Sequence, residues 1–309
     1  MTKKILIATE KPFAPEAISL MKAVIAGKPD FAIELLENYT DTAQFKAAVK
    51  DADALIIRSD KASAEIINAA EKLKIVIRAG AGYDNIDLAA ASARKVVAMN
   101  TPGQNANAVA ELAVGMMIYM ARSKFNGKSG SELLGKTFGI QAYGNIGRRL
   151  AKIAKGFGME VYACTRSIPG GTTNEDGVKF VKTVEELYSL CQYLSLHMPA
   201  TADTKKMVNF ELLNRMPKNP VLINTARKEI VCEESLKKIL AARKDFRYVS
   251  DIAPDCAAEL EKEYGERLYF TPKKLGAQTG EANINAGVAA VEQIVNFFEK
   301  GDVTFQVNK

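Results

Sequence analysis

The turn Ala142-Tyr143-Gly144-Asn145-Ile146-Gly147 has the spacing G-x-G-x-x-G, with alanine in place of the first glycine. It lies between a short apolar run, Thr137–Gln141, and a helix-forming run, Ile146–Gly156. In that setting Gly144 lets the backbone approach a pyrophosphate, and Gly147 lets helix and strand pack closely. The helix N-terminus adds free N–H groups and partial positive charge for phosphate. The chemistry implied is dinucleotide binding. The next apolar run, Met159–Cys164, ends in Thr165-Arg166-Ser167. NAD enzymes of doubly wound folds place an acidic residue there to hold the ribose hydroxyls. An uncharged residue followed by arginine and serine instead accommodates a 2′-phosphate, so NADPH is expected to be accepted as well as NADH.

Those residues need a scaffold, and the apolar pattern supplies one. Lys4–Ala8, Phe31–Glu37, Ala54–Arg58, Lys74–Ile77 and Val96–Met99 read as strands. Helices are expected between them at Pro15–Ala26, Thr42–Val49 and Ser63–Ala70. Asn105–Ala121 is a long, nearly uncharged helix, and Ser123–Leu134 is a polar connection. A second series of strands then starts at the glycine turn and continues through Lys179–Phe180, Tyr193–Leu196, Val221–Asn224, Tyr248–Ile252 and Tyr269–Thr271. Ala282–Glu299 is a final helix. Strands alternating with helices at this spacing predict parallel sheets covered on both faces.

At 309 residues the chain has length for two domains, each with its own core. The net charge of +6 is spread among 36 acidic residues, without the basic stripe and interleaved aromatics that nucleic-acid binding requires. A mild positive balance suits small anionic ligands. The four cysteines are widely spaced, with no C-x-x-C and no metal-ligand spacing, which predicts reduced thiols and no metal site. The longest apolar run, Leu112–Ala121, is too short to span a bilayer. The first residues run straight into a strand and leave no room for a signal peptide. The expectation is a soluble cytoplasmic protein with no membrane partner.

Five blocks, in order, resemble the D-2-hydroxyacid dehydrogenase family, and within it the short phosphoglycerate dehydrogenases. They are IIRSDKASAEIINAAEKLKIVIRAGAGYDNIDL, MNTPGQNANAVAELAVGMM, the glycine turn, YLSLHMPATADTKKMVNFELLNRMPKNPVLINTAR and TPKKLGAQTGEA. The resemblance implies two doubly wound parallel-sheet α/β domains with the nicotinamide site in the cleft between them. Residues 1–98 with 283–309 would form the substrate domain and 99–282 the dinucleotide domain. It also implies a hydride transfer between NAD or NADP and a D-2-hydroxy acid, and a homodimer formed through the long helix after Pro102. The reaction implied is that of 3-phosphoglycerate and 3-phosphohydroxypyruvate, a step of serine biosynthesis. The competing readings are an NADPH-dependent glyoxylate or hydroxypyruvate reductase and a catalytically silent nucleotide-binding sensor.

Residue by residue, the resemblance assigns Arg227 to the carboxylate clamp and carbonyl polariser. A planar, always-charged fork at the end of the strand Val221–Asn224 suits that role. Arg58, Ser59, Arg78 and Asn105 match substrate-contacting positions, and two guanidiniums with a hydroxyl suit a dianionic phosphate. Tyr143, Gly144, Asn145, Ile146, Gly147, Thr165, Arg166, Ser167, His197, Met198, Pro199, Thr225, Asp251 and Gly276 match the cofactor site. His197, the one histidine, is therefore not the acid/base. The family's T-P-H block reads Thr271-Pro272-Lys273-Lys274 here, so lysine replaces the catalytic imidazole; Lys273 is favoured, with Lys274 the alternative. The family's supporting glutamate is missing too, with Asp255 and Cys256 at its place. A glutamate selects a histidine's tautomer, and an ammonium has none to select.

Overall fold

A computed structural model describes residues 2–308 of the chain and divides them into two units. The first holds the residues up to Asn105 and those from Thr279 onward; the second runs from Ala106 to Gln278. These divisions are displaced from the expected 98/99 and 282/283 for local reasons. Asn100 and Thr101 remain hydrogen-bonded to the backbone of Ala81 and Gly80. Thr279 caps the helix Gly280–Lys300 through its side chain and so goes with that helix.

In the first unit, β1 (Lys3–Thr9), β2 (Phe31–Glu37), β3 (Ala54–Ile57), β4 (Ile75–Arg78) and β5 (Val97–Asn100) form a parallel sheet in the order β2-β1-β3-β4-β5. Alternate residues point to opposite faces of a strand, and both faces here are apolar. Ile5, Ile7, Ile56, Ile75 and Ile77 belong to one core with the helices Pro15–Val24 and Gly280–Lys300. Leu6, Ala8, Leu55, Ile57 and Val76 belong to the other. Each such side chain withdrawn from water contributes roughly 1.5–3 kcal/mol. The segment after the last helix pairs back on the sheet. Gln306 bridges Met99 in antiparallel fashion, and the Val307 N–H donates to the Ala98 carbonyl. The β5 edge is thereby covered.

The second unit contains β6 (Thr137–Gln141), β7 (Glu160–Cys164), β8 (Lys179–Phe180), β9 (Tyr193–Leu196), β10 (Val221–Asn224), β11 (Arg247–Ser250) and β12 (Leu268–Phe270). They are parallel, in the order β12-β11-β10-β9-β6-β7-β8. Phe138, Ile140, Val161 and Ile223 face the core shared with the long helix Ala106–Ala121. Leu194, Leu196, Leu222 and Tyr248 face the other. Among the described residues no helix is long and apolar enough to cross a membrane, and no group of three His, Cys, Asp or Glu is placed to hold a metal ion.

Candidate active site

The registers of the second sheet set the geometry of the site. Gln141 is paired with Cys164 and with Leu196, Leu196 with Asn224, Asn224 with Ser250, and Ser250 with Phe270. These strand-end residues form one row, with neighbouring strands about 4.8 Å apart. The backbone bonds Ala142 N–H to Cys164 O, His197 N–H to Gln141 O, Asp251 N–H to Asn224 O and Thr271 N–H to Ser250 O carry the row one residue further. Every candidate between Tyr143 and Gly276 leaves the sheet from this one edge. Strand order reverses between β6 and β9, the position at which open α/β sheets bind ligands.

The glycine turn is built for close approach. A Cβ on Gly147 would stand 2.8 Å from the Ala142 carbonyl oxygen, so only glycine lets the helix start there. Beyond Gly144 the space is open. The helices starting after Asp41, Ser63, Asp87, Thr183, Asn209 and Thr279 are closed by a side-chain acceptor. The helix Asn145–Gly156 is capped by Gly144 with no side-chain bond, which leaves its first N–H groups for another acceptor. Ala142 takes the positive φ of 75° that a glycine would adopt freely. Tyr143 is placed differently from the sequence expectation: its ring is buried and edge-on to Phe180, with the Arg148 guanidinium 5.2 Å from its centroid. Its hydroxyl accepts from Asn174 Nδ2 at 3.3 Å. Its side chain therefore braces the turn, and Asn174 gave no signal in the sequence.

Around the rest of the row, Thr165 and Ser167 turn their hydroxyls toward each other at 3.3 Å, and Arg166 is exposed. Both ring nitrogens of His197 are shielded and lack a partner, as does the buried Thr225 hydroxyl. Burial pulls the His197 pKa down to about 3, so the ring is neutral at pH 7. Arg227 is half-buried; its backbone oxygen accepts from Asn224 Nδ2 at 2.9 Å, and no carboxylate pairs with it among the described residues. Lys273 and Lys274 are both exposed. Asp255 is ion-paired with Lys228, and Cys256 faces Glu233, with burial first and that carboxylate second pushing its thiol up to about 11. Both groups at the missing glutamate's place are therefore engaged elsewhere.

The first sheet has its own reversal, between β1 and β3, and Arg58 follows β3 there. Its guanidinium lies 4.8 Å from the Phe13 ring centroid and donates to Asn283 Oδ1 at 3.0 Å and to the Pro12 carbonyl at 3.4 Å. All three partners are neutral. Burial pulls the guanidinium below its ordinary pKa, against the opposing pull of Asp60. The Asp60 carboxylate is itself engaged by the Glu10 N–H at 2.7 Å and the Tyr39 hydroxyl at 2.8 Å. Arg78 Nε and Asn85 Nδ2 each donate to the Arg58 carbonyl at 3.0 Å, and Asn85 Nδ2 also reaches the Asp60 carbonyl at 2.6 Å. Asn85 thereby ties the Arg58–Asp60 backbone in place. Ser59 is exposed beside it, and Asn105 is half-buried at the end of the unit.

Residues 88–264 match the family described as D-isomer specific 2-hydroxyacid dehydrogenase, NAD binding domain. The chain belongs to this family. It is 33% identical over 282 residues to a hydroxypyruvate reductase of Thermotoga maritima, covering 85% of this chain and 90% of that one. To a D-3-phosphoglycerate dehydrogenase of Methanocaldococcus jannaschii it is 32% identical over 309 residues, covering 94% of this chain but 56% of the longer relative. The chain thus spans about half the length of that dehydrogenase. The structure of NAD+-bound 3-phosphoglycerate dehydrogenase from Entamoeba histolytica matches with a TM-score of 0.86 and 45% identity, over 100% of this chain and 99% of the other.

As an NAD-dependent D-2-hydroxyacid dehydrogenase, the chain must hold a dinucleotide, and the second sheet's edge fits one. A Cβ-free approach at Gly144, an uncapped helix N-terminus, and the unpartnered Thr225 hydroxyl and His197 nitrogens are polar demands that the folded chain leaves unmet.

Proposed function

We propose that this dehydrogenase interconverts 3-phosphoglycerate and 3-phosphohydroxypyruvate, the step that leads toward serine. The observation that carries the reading is Arg58: a half-buried guanidinium at a sheet's reversal point that meets the Pro12 carbonyl, the Asn283 amide oxygen and the Phe13 ring, all neutral. A cation so placed recognises an anion beyond the carboxylate common to all 2-hydroxy acids. Ser59, Arg78 and Asn105 complete the substrate set, with Arg78 fixing the Arg58 backbone. Hydroxypyruvate reduction is the second reading, favoured by the Thermotoga maritima relative, which the chain covers over 90% of its length.

When bound, NAD supplies the nicotinamide carbon that gives or takes the hydride. Arg227 clamps the substrate carboxylate bidentately and polarises the neighbouring carbonyl. Lys273, or Lys274, donates a proton to the nascent alkoxide during reduction and accepts it back during oxidation. His197 stays neutral and, with Met198, Pro199 and Thr225, lines the cofactor site. Gly144, Asn145, Ile146 and Gly147 face the pyrophosphate. Thr165, Arg166 and Ser167 take the adenosine ribose, and the lack of a carboxylate there supports use of NADPH beside NADH.

Oxidation of NADH and of NADPH with phosphohydroxypyruvate, hydroxypyruvate and glyoxylate tests the reading. Turnover is expected with both cofactors and fastest with phosphohydroxypyruvate. No turnover with any of the three contradicts it, and an NADH preference above about tenfold, which is about 1.4 kcal/mol, contradicts the cofactor reading. We also infer a homodimer, supported by exposed Phe125, Leu134 and Phe157 near the end of the helix Ala106–Ala121. Four free thiols support a reducing, cytoplasmic setting.

A further inference from the structure

An arginine side chain is long and rich in rotamers, so a charge on its end points somewhere definite only when the fold holds it. For Arg58 the hold comes from the other end of the same unit. Asn283 lies near the start of the helix Gly280–Lys300, next to Ala282, whose N–H is capped by Thr279 Oγ1 at 3.1 Å. Asn283 Nδ2 donates back to the Thr279 carbonyl at 2.9 Å, and that carbonyl also takes the Asn283 backbone N–H at 3.2 Å. The amide's Oδ1 accepts from the Arg58 guanidinium at 3.0 Å. These two side-chain bonds leave the amide one orientation. Turned over, it would set N–H₂ against the guanidinium and oxygen against the carbonyl, and both contacts would repel. The Phe13 ring, 4.8 Å from the guanidinium carbon, and the Pro12 carbonyl at 3.4 Å complete the cradle.

We infer that Asn283 is a positioning residue for substrate selection: it aims the Arg58 guanidinium at the substrate's phosphate without neutralising it. A carboxylate at this place would hold the guanidinium at least as firmly, but would cancel the charge that a dianionic phosphate needs. An apolar side chain would leave the charge and lose the direction. A neutral amide oxygen, itself anchored one helical turn back, meets both requirements. Asn283 and Pro12 together take two of the five guanidinium N–H donors, so the fork keeps donors for a ligand. This rests on the reading that Arg58 recognises the substrate's phosphate.

The test is the ratio of kcat/KM for phosphohydroxypyruvate to that for hydroxypyruvate, a quantity that general damage to the fold leaves alone. In Asn283→Ala the ratio is expected to fall about 10-fold, the effect of one hydrogen bond to a charged group. In Asn283→Asp it should fall further, about 100-fold, because the new carboxylate both pairs with Arg58 and repels the phosphate. The decisive arm repeats Asn283→Ala in the Arg58→Ala protein, where it should change the ratio by no more than about twofold, since a residue that acts through Arg58 has nothing left to position. An equal fall in both backgrounds makes Asn283 a phosphate ligand in its own right and overturns the proposal. A ratio kept in Asn283→Asp overturns it as well. Should Asn283→Ala fail to fold, Asn283→Leu, similar in size and without polar groups, takes its place in the same cycle. A ratio lost in Arg58→Ala but kept in the Asn283 variants sinks this proposal alone. A ratio unchanged in Arg58→Ala sinks the substrate reading and this proposal with it.

Discussion

The two sheets present loops from the same kind of edge, yet the charged group beside the first and the polar groups beside the second are held differently. Beside β3, most groups around Arg58 are already engaged: Asp60 by Glu10 and Tyr39, the Arg58 backbone by Arg78 and Asn85, the guanidinium by Asn283 and Pro12, with Asn85 Oδ1 and the Thr9 hydroxyl left buried without a partner. Beside β6, β9 and β10, the helix N-terminus, the His197 nitrogens and the Thr225 hydroxyl have no protein partner. A preassembled cation suits a small anion recognised by charge, since little reorganisation accompanies binding. A row of unmet donors and acceptors suits a long ligand that satisfies them in sequence. On the proposed reading, the same kind of parallel-sheet edge gives a cation held ready for a small anion in one unit and a ligand-completed dinucleotide site in the other.

Four substitutions probe that contrast. The largest effect is expected for Arg227→Ala, which removes both clamp and polariser: kcat/KM falls about 1,000-fold or more while NADH still binds, by titration. Next is Asp60→Asn, which puts an amide where the Glu10 N–H and Tyr39 hydroxyl need an acceptor. Urea denaturation is expected to show a loss of about 2 kcal/mol, and an unchanged midpoint would remove Asp60 from the scaffold.

The third probe uses pH. His197 is neutral in the folded chain down to about pH 3, whereas an unfolded histidine titrates near 6.5. Between those values the unfolded state binds a proton that the folded state refuses, so stability is lost as pH falls below about 6.5 and the effect vanishes above it. The loss is up to about 1.4 kcal/mol per pH unit. His197→Asn should flatten the difference between unfolding curves at pH 7 and pH 5; the same difference in both proteins would show that His197 does not titrate this way. The smallest effect is at Ala142, whose φ of 75° suits glycine. Ala142→Gly should raise stability by about 1 kcal/mol, the strain relieved exceeding the entropy added to the unfolded chain; a lowered melting temperature would argue that the turn is relaxed as it stands.

Much of the fold was legible because buried parallel strands are continuous apolar runs: ALII and VLIN read directly as β3 and β10. Strand ends were less so; Arg58 falls just outside β3, because regular pairing stops where the chain turns into the loop. The residues matched by type and spacing do leave from one edge of the second sheet. What escaped were partners distant in sequence. Asn283 meets Arg58 across 225 residues, and Asn174 meets Tyr143 across 31, through side-chain amides whose reach no local pattern encodes. Tyr143 was matched to the cofactor by its place in the turn, but a ring beside Phe180 and Arg148 gains more from burial than from facing solvent. The parts played by Asp60 and Asn85 could not be read from the sequence, because only the folded backbone shows which carbonyls and N–H groups they reach.

The central claim is that the first sheet's preassembled cation selects a phosphorylated substrate. The most direct measurement is the ratio of kcat/KM for phosphohydroxypyruvate to that for hydroxypyruvate, taken in the natural protein and in Arg58→Ala. A charge-assisted contact contributes about 1.5–3 kcal/mol, so the natural ratio should exceed one and fall by about 10- to 100-fold in the variant, with hydroxypyruvate turnover little changed. A ratio near or below one in the natural protein, or the same ratio in both, contradicts the account.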